Sequence, residues 1–208
     1  MSLVYSHINP KYGSTVVWKV DEKADYFLNN LRCEIPEEHS KSEKRSLEWA
    51  CSRYIIQKWQ GSSPNEIFKD EYGKPHLINK QKQISISHSN GYAAVIFNDQ
   101  PIGIDIQTYV SKIYRIESKF TTYEEIEKFD SLADKNQILH IIWTIKESVF
   151  KLYGRKELPF IEGILINSVK REKSVIITEG LIRKNDVEKT FRTISRIEER
   201  YCLSVASY

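Results

Sequence analysis

The chain has 208 residues, of which 40% are hydrophobic and 28% are charged, and its net charge is +3. This composition is typical of a folded domain and excludes a disordered chain. No apolar run approaches the roughly 20 residues of a membrane helix, and the N-terminus lacks the pattern of a signal peptide. The slight positive charge does not by itself indicate nucleic-acid binding, but it suits an anionic ligand or an acidic protein partner. We therefore expect neither a membrane nor a nucleic acid among its partners.

The cysteines Cys33, Cys51 and Cys202 are widely spaced and form no CxxC pair. This odd, scattered set argues against disulfide bonds and against a structural zinc site. Free thiols persist in a reducing compartment, so the sequence predicts a cytoplasmic protein.

The first half of the chain alternates strands with helices. Residues 14–20 predict a strand, residues 24–31 a short helix, and residues from Pro36 to Trp59 a longer helical region that the turn residues 61–65 end.

Extended segments complete the first half. Residues 67–78 contain a YGKP turn, and the predicted strands 83–87 and 92–97 flank the dipeptide Asn90-Gly91. An Asn-Gly pair between two strands predicts a tight hairpin turn.

The second half begins with the strand IGIDIQ, after the turn residues 98–101. A Thr-capped helix is predicted within 120–129, and residues 138–154 predict the most regular helix because their apolar face is nearly continuous. Four more strands follow. Each half thus combines a long helix with antiparallel strands, which predicts an α+β fold with domains 1–100 and 101–208.

A carboxylate, Asp105, lies in the middle of the apolar strand GIDIQ. A buried carboxylate is costly unless it is paired, so Asp105 needs a partner. That partner is either a neighbouring backbone donor or a metal ion.

On the 138–154 helix, Trp143, Glu147 and Lys151 lie four residues apart and hence on one face. Glu147 and Lys151 either form an ordinary exposed ion pair or act as a metal ligand and a phosphate contact. The neighbouring Lys146 is expected to be solvated. Two carboxylates on separate elements, Asp105 and Glu147, suit Mg²⁺ completed by water and phosphate oxygens.

Candidate phosphate contacts occur in the first half. His88 is either a hydrogen-bonded turn histidine or a phosphate contact shared with the Ser87 hydroxyl. No GxSxG motif accompanies them, which disfavours a Ser-His-Asp hydrolase. Lys74 in the YGKP turn, and Arg45 and Ser46 near a helix start, are either solvated or bound to phosphate.

Five motifs occur in one informative order: GKP, ISISHS, PIGIDIQ, F-(x)₃-E and WTIKESVFK. In this order they resemble the 4′-phosphopantetheinyl transferases of the surfactin-synthetase-activating type, from about residue 40 to about residue 170. The resemblance implies a pseudo-dimer of two similar α+β halves, with coenzyme A and a divalent metal in the cleft between them. It also implies a monomer.

The resemblance assigns roles to single residues. Asp105 and Glu147 would bind Mg²⁺, with Mn²⁺ as the alternative, and Glu124 would lie close to the metal. Lys151 would lie near the transferred phosphate. The positions that match coenzyme A contacts are Lys74, Ser87, His88, Arg45 and Ser46.

Gln107 departs from the family pattern, because many members have a Glu two residues after the Asp. An amide oxygen still binds Mg²⁺ or orients its water, but it adds no negative charge. We expect Gln107 to give weaker metal binding, directly or through a water.

The implied reaction moves the phosphopantetheine arm of coenzyme A to a serine of an apo acyl, polyketide or peptidyl carrier protein and releases 3′,5′-ADP. Asp105, Glu147 and Lys151 would be the catalytic set, with Glu147 or Glu124 as general base. The mixed basic and apolar segment 108–120 would dock the acidic carrier.

Three other interpretations stay open. A non-catalytic module would bind coenzyme A or another nucleotide without turnover. A metal-dependent phosphohydrolase would release phosphopantetheine without any carrier. A structural interaction protein would leave the SHS, GID and KES-x-x-K motifs unexplained.

Overall fold

The computed structural model describes residues 3–9, 13–31, 33–78, 82–185 and 187–208. The chain forms two compact units, Met1–Gln100 and Pro101–Tyr208. Both units combine helices with antiparallel strands, so the predicted α+β class is confirmed. No helix in the described parts of the chain is long and apolar enough to cross a membrane.

The first unit is built on a four-stranded antiparallel sheet and a small separate hairpin. Its strands are β1 (Leu3–Asn9), β2 (Gly13–Lys19), β3 (Ile67–Lys69), β4 (Pro75–Leu77), β5 (Gln83–Ser89) and β6 (Tyr92–Asn98). Its helices are α1 (Ala24–Leu31), α2 (Glu37–Ser40) and α3 (Glu43–Gln60). The sheet has the order β1-β2-β6-β5, and β3 pairs with β4. Strand β1 occupies a segment for which the sequence predicted no element.

The helical region predicted from Pro36 to Trp59 is divided by the structure into two helices, α2 and α3. The Ser42 side chain accepts a hydrogen bond from the Arg45 backbone N and begins α3, which separates the two helices. At the other end, Gly61 adopts a left-handed conformation with φ 72° and ends α3. Helix α3 packs on the sheet, where Trp18 and Ile55 are fully buried.

A two-residue turn joins β5 to β6. Asn90 and Gly91 have φ values of 37° and 81°, the left-handed values that a type I′ hairpin turn requires. The predicted Asn-Gly turn is therefore confirmed. Side chains alternate along a strand, so Ile86 and His88 of β5 share one face and Ser87 lies on the other.

The second unit is a five-stranded antiparallel sheet with one long helix packed on it. Its strands are β7 (Ile102–Thr108), β8 (Ile164–Glu172), β9 (Val175–Lys184), β10 (Val187–Ile197) and β11 (Tyr201–Ser207). Its helices are α4 (Tyr123–Glu127) and α5 (Lys135–Tyr153). The sheet has the order β7-β11-β10-β9-β8.

Helix α5 supplies more residues to the described core of this unit than any other single element. Asp134 accepts a hydrogen bond from the Gln137 backbone N at its start, and Gly154 ends it with φ 70°. Its apolar side chains pack against those of the sheet, and Ile142 and Phe191 both belong to this core. The helix is therefore fixed against the sheet over its whole length.

Strand β7 approaches α5 very closely at Gly103. A Cβ atom at this position would lie 1.9 Å from the Ser148 carbonyl oxygen and 2.6 Å from the Leu152 backbone N. Asp105 follows two residues later and so lies on the same face of β7. The absence of a side chain at Gly103 therefore allows Asp105 to lie close to the last turns of α5.

We expect Gly103→Ala to lower the free energy of unfolding by about 3 kcal/mol or more, because the new methyl group overlaps rigid backbone. Chemical denaturation of both proteins measures the difference. Gly61→Ala is the matched control: its Cβ meets nothing within 4 Å, and only its positive φ of 72° is unfavourable. That change should cost about 1 kcal/mol. An equal loss in the two variants would contradict the close approach of β7 to α5.

Candidate functional site

Asp105 and Lys151 form a direct ion pair in the second unit. The Lys151 Nζ donates a hydrogen bond to the Asp105 Oδ1 at 2.7 Å. The Asp105 side chain is 7% exposed and that of Lys151 is 26% exposed. The buried carboxylate of the GIDIQ strand thus has a cationic partner on α5, as its burial requires.

Glu147 lies one turn before Lys151 on α5 and interacts with both partners of this ion pair. Burial raises the pKa of Glu147 to about 7; the charge of Asp105 acts in the same direction, and Lys151 opposes it. Lys151 makes its ion pair with Asp105. The interpretation of Glu147 and Lys151 as an ordinary exposed ion pair is therefore wrong. Asp105, Glu147 and Lys151 are called the acidic cluster below.

The acidic cluster offers two carboxylates to a metal ion. No group of three or more His, Cys, Asp or Glu side chains that could hold a metal occurs in the described ranges. Mg²⁺ is often bound by one or two carboxylates and completed by water and substrate phosphates. A divalent cation would also relieve the repulsion between Asp105 and Glu147, so this pair fits Mg²⁺ that binds together with a phosphate ligand.

Gln107 lies on the same face of β7 as Asp105 and is half-buried. Its side-chain Nε2 donates a hydrogen bond to the Thr108 carbonyl oxygen at 3.2 Å. The amide nitrogen is therefore engaged with the backbone, and a contact between Gln107 and a metal stays a prediction.

Glu124, the acidic residue that the resemblance placed near the metal, is exposed on α4. The Thr122 hydroxyl lowers its pKa by hydrogen bonding to the carboxylate. The described contacts do not bring Glu124 to the acidic cluster, and its role near a metal stays a prediction.

The residue after it, Glu125, is the buried acid of α4. Its Oε2 lies 2.7 Å from the Lys146 Nζ, and its Oε1 accepts a hydrogen bond from the Ile166 backbone N at 3.1 Å. The Lys146 Nζ also donates to the Phe160 carbonyl oxygen at 2.8 Å. The Lys146 side chain is 0% exposed, so the expectation that it is solvated is wrong. The signal was its place beside Ile145 in a nearly continuous apolar run, where a solvated lysine does not fit.

A cavity of about 520 Å³ lies beside α3 in the first unit and is called the α3 cavity below. Its lining residues are Glu38, His39, Arg45, Glu48, Trp49, Arg53, Lys69, Gly73, Pro75, Ile86 and His88. Two of the predicted coenzyme A contacts, Arg45 and His88, are thus brought together. Lys74 lies between the lining residues Gly73 and Pro75 in the sequence. Burial lowers the pKa of Lys74, and the charge of Asp70 opposes this shift.

Two other predicted coenzyme A contacts, Ser46 and Ser87, are not among the residues that line the α3 cavity. The Ser46 hydroxyl donates to the carbonyl oxygens of Ser42 and His39, at 3.1 Å and 3.2 Å, and helps to join α2 to α3. Ser87 is buried on the face of β5 opposite His88. The structure therefore gives no support to a phosphate shared by Ser87 and His88, and contacts of Ser46 and Ser87 with coenzyme A stay predictions.

Sequence reasoning missed Arg53, which lines the α3 cavity and is only 8% exposed. Its guanidinium carbon lies 5.4 Å from the centre of the Trp49 ring, in a cation–π arrangement. The Nη1 donates to the Ser52 hydroxyl at 3.2 Å. The available signal was a charged residue between buried positions of the helix, Cys51 and Ile55.

The predicted docking segment, residues 108–120, forms mainly 3₁₀ turns. Tyr114 is 45% exposed, and Lys112 and Arg115 are also exposed. The segment therefore combines basic and aromatic side chains at the surface of the second unit.

The raised pKa of Glu147 predicts a pH-dependent stability. Because the pKa is about 7 in the folded chain against an ordinary 4.5, the folded state binds the proton more tightly. The free energy of unfolding therefore falls as the pH rises from about 4.5 to about 7, by up to about 3 kcal/mol. Glu147→Gln removes the titrating group and with it this pH-dependent loss of stability. In the absence of divalent cations, the variant should therefore gain more free energy of unfolding over the natural protein at pH 8 than at pH 5. Denaturant unfolding at the two pH values measures this, and equal effects would contradict the burial of the carboxylate.

The buried pair of Glu125 and Lys146 gives a second stability prediction. Lys146→Met leaves a buried charge unpaired and should cost about 3–5 kcal/mol. The double variant Glu125→Gln/Lys146→Met should recover at least half of that loss. The control is Lys135→Met on the same helix, where an exposed pair with Glu117 should contribute less than about 1 kcal/mol. Additive losses in the double variant would show that the two side chains are not coupled.

Comparison with known proteins gives a family match over the second half of the chain. The sequence profile of the 4′-phosphopantetheinyl transferase superfamily matches residues 101–206, which is about half of the chain and includes the acidic cluster.

Two curated relatives are similar to part of the chain. The 4′-phosphopantetheinyl transferase gsp of Aneurinibacillus migulanus is 32% identical over 120 residues, covering 55% of this chain and 50% of the relative. The 4′-phosphopantetheinyl transferase Sfp of Bacillus subtilis (strain 168) is 33% identical over 89 residues, covering 41% and 39%. The chain thus spans half or less of the length of these relatives. With the profile match over residues 101–206, the chain belongs to the 4′-phosphopantetheinyl transferase superfamily.

Proposed function

We propose that the protein transfers the phosphopantetheine arm of coenzyme A to a serine hydroxyl of an apo carrier protein. The observation that carries this proposal is the acidic cluster, in which Lys151 and Glu147 of α5 meet Asp105 of β7. The cluster lies inside the region that matches the family. The names of the two relatives add support, since both are 4′-phosphopantetheinyl transferases.

In this proposal, Asp105 and Glu147 hold a divalent cation, Mg²⁺ or alternatively Mn²⁺. When bound, the cation would neutralise charge on the pyrophosphate oxygens of coenzyme A. Lys151 already lies 2.7 Å from Asp105 and is the cation of the cluster that stabilises or protonates the leaving phosphate. The chain thus supplies both negative groups to bind the cation and a positive group to bind the substrate.

The reaction is a substitution at the phosphorus on the pantetheine side. The serine oxygen forms a bond to this phosphorus, the bond to 3′,5′-ADP breaks, and the serine proton passes to a base. Glu147 would accept that proton directly or through water, with Glu124 as the alternative base. Glu124 is a weaker base because its pKa is lowered.

The α3 cavity is the proposed binding site for the nucleotide end of coenzyme A. Arg45 and His88 line it, and Lys74 adjoins two lining residues, Gly73 and Pro75, in the sequence. These side chains would orient the substrate more than take part in the chemistry. The exposed basic and aromatic side chains of residues 108–120 would dock a carrier whose serine has acidic surroundings. A cytoplasmic location and a monomeric state stay predictions of the sequence.

The first test is transfer itself. The protein is incubated with coenzyme A, Mg²⁺ and an apo carrier protein, and the carrier is weighed by intact-mass spectrometry. We expect a gain of one phosphopantetheine that EDTA abolishes. Asp105→Asn and Glu147→Gln should each slow transfer at least about 100-fold, because the metal loses a charged ligand. Lys151→Met should lower kcat by about 100-fold with a much smaller change in coenzyme A affinity.

The matched control is Lys135→Met, which removes an exposed lysine at the start of the same helix and should leave transfer unchanged. Coenzyme A binding with no gain on acyl, polyketide and peptidyl carriers would favour the non-catalytic module instead. Free phosphopantetheine without a modified carrier would favour the phosphohydrolase. Near-normal transfer by Asp105→Asn would overturn the role assigned to the acidic cluster.

A further inference from the structure

Two adjacent strands of the second unit each make a polar contact with α5. Asp105 of β7 pairs with Ser204 of β11, and residues directly opposite in an antiparallel pair point to the same face of the sheet. The Lys151 Nζ donates to the Asp105 Oδ1, and the Ser204 hydroxyl oxygen lies 2.7 Å from the Thr144 hydroxyl oxygen. Thr144 and Lys151 are two helical turns apart, so the hydroxyl contact lies about 10 Å from the ion pair along the helix.

The contact between these hydroxyl groups has a definite direction. The Thr144 hydroxyl donates its proton to the Ile141 carbonyl oxygen at 3.0 Å, so it can only accept from Ser204. The Ser195 hydroxyl of β10 lies 2.8 Å from that of Ser204 and donates to it in turn. The hydroxyl protons therefore form one chain from β10 through β11 to α5. The Thr144, Ser195 and Ser204 residues are all 0% exposed.

This chain of hydroxyl groups lies within an apolar core. Ile141 and Ile145, on either side of Thr144, are also 0% exposed and belong to the core of the second unit. Apolar packing is not directional, and cores tolerate repacking before they lose stability. A hydrogen bond of 2.7 Å is directional, and a shift of about 1 Å breaks it. The bond between Ser204 and Thr144 therefore fixes the position of α5 along the sheet more strictly than apolar contacts do.

The position of α5 along its axis also affects the geometry of the acidic cluster. Glu147 and Lys151 follow Thr144 on the same helix, so a shift of the helix moves both side chains relative to Asp105. Groups that bind a metal or a substrate must keep their positions within roughly 0.5 Å. The contact at Gly103 allows β7 to lie close to α5, and the hydroxyl bond adds a directional constraint from the neighbouring strand.

We propose that Thr144 is a positioning residue: its hydrogen bond with Ser204 fixes α5 along the sheet and so places Glu147 and Lys151 against Asp105. This inference rests on the proposed function, in which the acidic cluster holds the cation and the reacting phosphate. It goes beyond that function by naming a residue outside the cluster that acts through the helix.

The first measurement is the coupling between Asp105 and Lys151 in the full chain, without any ligand. Denaturant unfolding of Asp105→Asn, Lys151→Met and the double variant gives the coupling free energy, because general changes in stability cancel in such a cycle. The cycle is then repeated in Thr144→Val, which removes the hydroxyl and leaves Ser204 its partner Ser195. We expect the coupling to fall by at least half in Thr144→Val.

Two matched variants make this test specific. Thr144→Ser keeps the hydroxyl group on α5 and should keep the coupling of the natural protein. Ser195→Ala removes a buried hydroxyl from the same chain but leaves the bond between Ser204 and Thr144 intact. It should therefore also keep the coupling, even though it loses a buried hydrogen bond.

The second measurement tests the acidic cluster as a binding site. The affinity for Mn²⁺ in the presence of coenzyme A is measured by electron paramagnetic resonance, and transfer to an apo carrier protein is measured as above. Thr144→Val should bind Mn²⁺ about tenfold more weakly and lower kcat by a similar factor, because displaced ligands bind a cation less well. The KM for the carrier should change little, because the docking segment 108–120 keeps its own side chains. Thr144→Ser and Ser195→Ala should match the natural protein.

The outcomes separate this inference from the proposed function. Loss of coupling in Thr144→Val but not in Ser195→Ala supports the inference even if no carrier is modified. Unchanged coupling in Thr144→Val, or an equal loss in Ser195→Ala, overturns it even if transfer proceeds. Lost coupling with unchanged Mn²⁺ affinity and kcat also overturns it, because Thr144 would then affect stability alone.

Two further results also decide the question. If Thr144→Val does not fold, Ser204→Ala takes its place, because it removes the same bond from the side of the strand. An absence of coupling between Asp105 and Lys151 in the natural protein would overturn the inference, because Thr144 would then have no ion-pair geometry to maintain.

Discussion

The ion pair between Lys151 and Asp105 depends on one steric constraint, the contact of β7 with α5 at Gly103. A side chain at Gly103 would collide with the Ser148 carbonyl oxygen, so the strand could not lie so close to the helix. The close approach places Asp105 within 2.7 Å of the Lys151 amine. Glu147, one turn earlier on the helix, then lies in the field of Asp105. The chemistry proposed for the second unit is therefore a consequence of backbone packing.

Positions on regular elements could be predicted from the sequence. Helical spacing predicted that Glu147 and Lys151 share a face, and the carboxylate in an apolar strand predicted a partner for Asp105. The Asn90-Gly91 turn was equally clear, because only a few residues adopt left-handed conformations without strain. In these cases the local chemistry of two or three residues determines the structure.

Features that depend on tertiary contacts were missed. Lys146 was expected to be solvated, because a single charged residue on a helix is usually exposed. Its buried partner Glu125 was overlooked, because it lies on another helix. The same reason applies to Arg53, whose burial depends on Trp49 and on the walls of the α3 cavity. A different limit applies to Ser87 and His88, whose contacts with coenzyme A stay predictions. Adjacent residues on a strand point to opposite faces, so proximity in sequence does not by itself indicate a common ligand.

The strand order of the second unit also has a consequence for how the acidic cluster is assembled. In the five-stranded sheet, β7 lies at an edge and pairs with β11, where Asp105 is opposite Ser204. Pairing of residues so far apart in sequence is slow, because a long loop must close before any contact forms. During synthesis on the ribosome, the strand that carries Asp105 emerges long before β11, its partner in the sheet as the described residues form it. Asp105 therefore gains its neighbour in the sheet only after β11 has been made, whereas its ion pair with Lys151 of α5 does not involve that strand.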